Sequence, residues 1–257
     1  MTIDATAVRH GPAPILDEYF RATLDVLASV SADLGAVLGD LEARGELTDR
    51  HLDELVEPLA LAVFQRTSPV AFGAGFVASL DLRGPSRGHL SWWQGPMRSQ
   101  LRLAAQSPSR EHIDYSGFEW FRVPQETGEG HVAGPHVDYL CSDEYTLTVS
   151  LPVWHGTRFL GVVAMDLLVD DVERELLPAL REFGDVSVVN ASQRVLASTE
   201  SRLAPGDSVR ALDGYASSDC AIAGLRVLTR SRGPSISCDG PRRLPDSLPG
   251  EPGERAG

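Results

Sequence analysis

The sequence predicts an α+β protein in which long helices precede an antiparallel sheet, and three observations lead there. Over residues 15–41, Leu16, Phe20, Leu24, Leu27, Val30, Leu34, Leu38 and Leu41 recur at steps of three and four, the spacing of one face of an amphipathic helix. Over residues 146–154, polar Thr146, Thr148 and Ser150 alternate with apolar Leu147, Val149, Leu151 and Val153, and a tight His155-Gly156-Thr157 turn leads into 158–168, RFLGVVAMDLL. That is a hairpin with one buried face. Short apolar segments bounded by Gly and Pro recur on both sides of it, as further strands would.

In chain order, the first helix is expected to end near Gly45. Thr48 is a suitable N-cap for a second helix carrying Leu52, Leu55, Val56, Leu59, Leu61 and Phe64, bent at Pro58 and stopped by Pro69. Residues 73–81 (GAGFVASLD) and 89–94 (HLSWWQ) read as two strands of a hairpin joined by LRGPSRG, and in a strand Trp92 and Trp93 point to opposite faces. Residues 97–106 suggest a short helix, and 107–135 a loop with one helical turn near 115–122. After the strong hairpin, Asp170 is expected to cap a helix over 172–183, with Glu173 and Glu175 in its first turn. A second hairpin follows over 186–189 and 194–198 around a 190–193 turn, and 220–229 is the last strand expected. From Ser231 onward Pro and Gly dominate and apolar residues are scarce, which predicts a disordered tail. The organisation expected is an N-terminal tail (1–14), a main domain (15–183), a partial second α/β subdomain or β extension (184–230) and the tail (231–257).

At 257 residues and 27.7 kDa the chain buries a sizeable core without metal or disulfide staples. Its formal charge of −13 repels nucleic acid and anionic lipid, so neither is an expected partner. All its basic residues other than histidine are arginine. The N-terminus lacks the basic start and apolar core of a signal peptide, and no stretch reads as the ~20 apolar residues of a membrane span, so a cytoplasmic protein is expected. Cys141, Cys220 and Cys238 form no zinc or redox motif and read as plain thiols.

No nucleophile elbow, phosphate-binding loop, C-x-x-C or dinucleotide fingerprint is present. His136-x-Asp138 has the spacing of the first two ligands in iron and 2-oxoglutarate oxygenases, but a distant third histidine is required and His155 lies only 17 residues on. His131, His136 and Asp138 could approach one another as metal ligands, yet loop histidines are usually solvated. The expectation is therefore a non-enzyme with no cofactor and no metal.

Four segments in order carry a resemblance: Trp120-Phe121, then Pro135-His136-Val137-Asp138, then a strand ending Leu151-Pro152-Val153, then 159–167, FLGVVAMDL. Over residues 15–183 the chain resembles the Cache domains, PAS-like small-molecule sensors of bacterial receptors and kinases, which show a Trp-Tyr pair, Pro-Tyr-x-Asp, a strand ending Pro-Val, and a Gly-Val-Val strand closing on Asp. The 190–193 hairpin is similar to the start of such a protein's second subdomain. The resemblance implies an antiparallel PAS-like sheet and a ligand pocket. In amino-acid-binding members an Arg two residues before the Trp holds the ligand carboxylate, and the two aspartates hold its ammonium.

Carried onto this chain, the ammonium pair becomes Asp138 and Asp166 and the aromatic wall Trp120 with Phe121, while Phe118 stands at the Arg position and His136 at the Tyr position. Two carboxylates beside aromatic faces suit an amine, and the missing Arg suggests one without a carboxylate. A carboxylate held by another arginine, such as Arg122, remains an alternative. So do blander roles: Asp138 as a turn residue, Asp166 as a strand-end residue turned to solvent although it shares its strand face with Leu160, Val162 and Ala164, and Trp120 and Phe121 as core plugs. The function expected is a non-catalytic sensor module in signal transduction, recognising a small amine or amino-acid-like metabolite, dimerising through its N-terminal helix and signalling through a separate regulator or kinase. The alternative is an accessory protein-interaction module with little or no ligand binding.

Overall fold

The computed structural model describes residues 11–82, 88–102, 114–137, 144–210, 212, 214–222 and 224–230. Asp138, Cys141, Cys238 and the tail expected over 231–257 lie outside the described residues.

The apolar stripe at the N-terminus folds as two helices, α1 (Pro12–Val30) and α2 (Leu34–Ala43), where the sequence suggested one. Ser31 makes the break. Its backbone N–H and its hydroxyl both donate to Leu27 O, at 3.1 and 2.7 Å, so the side chain closes the last turn. The third helix, α3 (Asp49–Arg66), starts as expected, with Thr48 Oγ1 accepting from the His51 N–H at 3.2 Å. Within Pro12–Ala43 an 18-residue window of mean hydropathy 1.4 is apolar enough to cross a membrane by length and composition, a property that a core helix shares. In the fold Ile15, Leu16, Tyr19, Phe20, Leu27 and Leu38 from this stretch are buried in the core.

Strands β1 (Gly73–Ala78), β2 (Leu90–Gln94), β3 (Ser99–Gln100), β4 (His131–Val137), β5 (Tyr145–His155) and β6 (Arg158–Leu168) form one antiparallel sheet in the order β3-β2-β1-β6-β5-β4. The described part of 97–106 is a strand edge and not a helix, because the chain reverses at Gly95 and Arg98, both at positive φ, and Leu101 N–H then returns to Trp92 O. Likewise 107–135 is not simply loop: it contains α4 (Glu119–Thr127) and the start of β4.

One face of the sheet carries Ala74, Phe76, Trp93, Val149, Val163 and Met165 and packs on the three N-terminal helices. The other carries Trp92, Val162, Ala164, Thr148 and Asp166. Trp92 and Trp93 thus lie on opposite faces, as expected. Leu160 does not share the face of Val162 and Ala164. The β5–β6 register shifts at Val153/Trp154, Gly161 takes φ +149°, and Leu160 joins the helix-side core while Phe159 and Val162 sit together on the other face.

Strand β6 runs directly into α5 (Val169–Leu180), so Leu168 and not Asp170 holds the N-cap position, and Asp170 and Asp171 lie in the first turn at the positive end of the dipole. A smaller antiparallel sheet follows, ordered β8-β7-β10-β9, from β7 (Val186–Asn190), β8 (Val195–Ser198), β9 (Tyr215–Asp219) and β10 (Leu225–Arg230). The single strand expected over 220–229 is instead the end of a hairpin, closed by Cys220 N–H donating to Leu225 O. Burial pushes the Cys220 thiol up to about 12, so it is protonated and inert at neutral pH.

Candidate ligand-binding site

The face of the large sheet turned away from the three N-terminal helices is the floor of a cavity of about 520 Å³. Val77, Leu90, Trp92, Thr148, Ala164 and Asp166 line it from the sheet, and Tyr115, Phe118, Glu119 and Trp120 cover it from α4 and the turn before it. The β4 bulge, residues 133–137, forms a side wall, and Asn190, Ser192 and Arg194 of the β7–β8 turn stand at its edge.

Asp166 is the charged group of the floor. It is only 6% exposed, and Thr148 Oγ1 donates to its Oδ1 at 2.7 Å. Register explains the pairing: Thr148 lies opposite Asp166 and Ala133 opposite Thr148, so one row of the sheet carries them side by side. His136 Nε2 lies 3.4 Å from Thr148 Oγ1. Because Thr148 directs its proton at Asp166, the three groups are not ordered as a nucleophile, base and orienting acid.

The cover is aromatic and anchored from below. Phe118 occupies the N-cap position of α4 and stacks on Trp120 at 5.8 Å and 7°, with Tyr115 at 5.9 Å from the same indole. Ser150 Oγ on β5 donates to Trp120 O at 2.7 Å. Glu119 faces His131, whose Nε2 lies 2.9 Å from Glu119 Oε1. That hydrogen bond holds the Glu119 carboxyl below its ordinary value of 4.5, helped by the charges of His131, His136 and Arg122 and opposed by burial. A depressed carboxyl contributes stability above its unfolded pKa and loses it as pH falls through the folded value. Glu119→Gln is therefore expected to flatten the acid limb of a Tm-versus-pH profile below about pH 4.5. The effect is small, since the Glu119 side chain is 40% exposed, and an unchanged acid limb would remove the contact from the account.

No protein-family model matches the sequence, and no curated protein matches it. Among solved structures the chain is similar to one called methyl-accepting chemotaxis protein X, with a TM-score of 0.50 and 13% identity, over 81% of this chain and 96% of that one. The fold is Cache-like. The sensory domain of the Campylobacter jejuni chemoreceptor Tlp3 with isoleucine bound matches with a TM-score of 0.44 at 16% identity, over 90% and 98% of the two chains. An extracellular ligand binding receptor from Desulfohalobium retbaense matches with a TM-score of 0.49 at 11% identity, over 86% of this chain and 38% of that one.

Within the Cache-like fold, Phe118, Trp120, His136 and Asp166 of the residues singled out by sequence share the cavity lining. Phe121 does not. Adjacent helical residues project about 100° apart, so Trp120 lines the cavity while Phe121 is 3% exposed behind it, edge-on to Phe159 at 5.4 Å. Arg122, the alternative carboxylate holder, turns to the exposed side of α4 and pairs with Glu126 at 2.7 Å. Asp138 lies outside the described residues. Sequence reasoning missed Trp92, Tyr115, Thr148 and the β7–β8 turn as lining residues. For Thr148 a signal existed, the polar side of the β5 alternation. Nothing local marks Arg194.

Proposed function

We propose that this chain is a non-catalytic ligand-binding sensor module whose cavity takes a small metabolite bearing an amine. The observation that carries the reading is Asp166, a buried carboxylate on the floor of an otherwise largely aromatic and aliphatic cavity. An ammonium brought beside this carboxylate gains Coulomb attraction, hydrogen bonds and contact with the aromatic lining of Trp92 and Trp120 at once.

A thermal-shift screen of amines, amino acids, purines and carboxylates tests the proposal. Amines are expected to raise Tm in a concentration-dependent way, by RT ln(1 + [L]/Kd) in stability. Stabilisation by carboxylates alone would reverse the charge argument, and no shift with any compound would favour an accessory module that works through a partner protein. The reading includes output through a separate regulator or kinase and a cytoplasmic location, which cell fractionation checks. It also includes self-association through α1, checked by light scattering. The largest apolar side chains of α1 are already spent on the chain's own core, while Glu18, Arg21 and Asp25 line a polar outer groove, so any α1 contact would be polar in part.

A further inference from the structure

The cavity is not made by the large sheet alone: the β7–β8 turn of the small sheet completes its edge and brings Arg194 to it. That turn is built rigidly. Asn190, 7% exposed, donates through Nδ2 to Gly134 O at 2.7 Å and so clamps the turn to the β4 bulge. Its Oδ1 accepts from the Ser192 and Arg194 backbone N–H groups, both at 2.9 Å, which fixes the path of the chain up to Arg194.

Among the described residues eight arginines hold a carboxylate, and Arg194, like Arg98, bonds a backbone carbonyl instead. Arg194 donates through Nη1 to Gly206 O at 3.0 Å. A guanidinium has five N–H donors, and its charge calls for an anion that a carbonyl does not supply.

Resting on the amine reading above, we infer that Arg194 is a specificity-determining residue that receives an anionic group at the far end of the ligand from the ammonium held by Asp166. The chemical class is an ω-amino acid or similar amine whose anion is several bonds from its nitrogen. Spacing favours this over an α-amino acid. Asp166 is on β6, and the turn is clamped on β4, two interstrand spacings or roughly 10 Å away in backbone. The hydrogen bond to Gly206 O, a residue packed against the Tyr145 hydroxyl at the start of β5, anchors the guanidinium at that end of the large sheet. Beside Trp120 stands Phe118, stacked on its indole, which offers no charge to an anion close to the nitrogen.

Three probes separate the possibilities on the full chain by calorimetry at low salt: n-pentylamine, δ-aminovalerate and its α-amino isomer norvaline. The expected order places δ-aminovalerate roughly threefold to tenfold tighter than pentylamine, the worth of a charge-assisted contact at an exposed rim, and norvaline weakest. Arg194→Gln should bring the ratio of δ-aminovalerate to pentylamine close to one. In the unaltered protein, salt at about 0.5 M should shrink the same ratio. A wild-type ratio of one, preference for norvaline, or a ratio that survives both Arg194→Gln and salt overturns the inference. Pentylamine binding with a ratio of one would leave the amine reading intact, whereas absence of binding by all three amines would remove both.

Discussion

Asp166→Asn is expected to abolish stabilisation by amines while the empty protein stays folded, with a Tm within a few degrees of wild type. The substitution keeps the shape of the side chain and an acceptor for the Thr148 hydroxyl, which donates to Asp166 Oδ1 at 2.7 Å, and removes only the charge. For an ammonium in the cavity the loss is large. It gives up its counter-ion where little water replaces it, a cost of about 3 kcal/mol or a hundredfold in Kd. For the empty protein the two changes oppose each other, since an amide is cheaper to bury than a carboxylate. Thermal shift and calorimetry with the same amines measure both halves. Retention of wild-type amine affinity by a folded Asp166→Asn would sink the assignment, and a collapse of Tm without ligand would make Asp166 a structural group.

Much of this arrangement is legible in the sequence where one strand or helix decides it. The β5 alternation works because Thr146, Thr148 and Ser150 face one side and Leu147 and Val149 the other, and the strand is long enough to show the period. The Thr48 cap is a local hydrogen bond and reads as one. The cover of the cavity is hidden for a physical reason: α4 has nine residues, an aromatic N-cap and an internal proline, and its aromatics serve two surfaces, Trp120 the cavity and Phe121 the core. The apolar positions of α4, Trp120, Phe121, Val123 and Pro124, are too few in nine residues for a helical period to stand out from the surrounding loop. Arg194 is hidden differently, because its relation to Asp166 exists only through the docking of one sheet on another, and Asn190 alone reads as an ordinary turn residue.

The face that β6 presents turns on Gly161, the site of the second large effect. Gly161→Ala is expected to destabilise the protein by about 3 kcal/mol or more, a fall in Tm of about 6–12 °C for a chain of this size. Gly161 sits between Ala78 of β1 and Val153 of β5 at φ +149°, where L side chains are strained. A Cβ there would collide with Val77 O and lie 2.8 Å from Phe76 Cζ and 3.0 Å from Ala78 Cα. Two of these three are backbone atoms of the paired strand, which cannot step aside without breaking the ladder. The natural comparison is Gly156→Ala in the β5–β6 turn, at φ 58° with nothing within 4 Å, where only the conformational cost of about 1 kcal/mol applies. Urea denaturation of the two variants separates steric from conformational cost, and equal losses at both sites would contradict the close approach at Gly161. The consequence reaches the cavity as well. The register shift beside Gly161 sends Leu160 to the helix-side core and sets Phe159 and Val162 under Phe121 and Trp120. A Gly161→Ala protein that still folds should therefore hold its aromatic cover less firmly and bind amines more weakly, although residue 161 does not line the cavity.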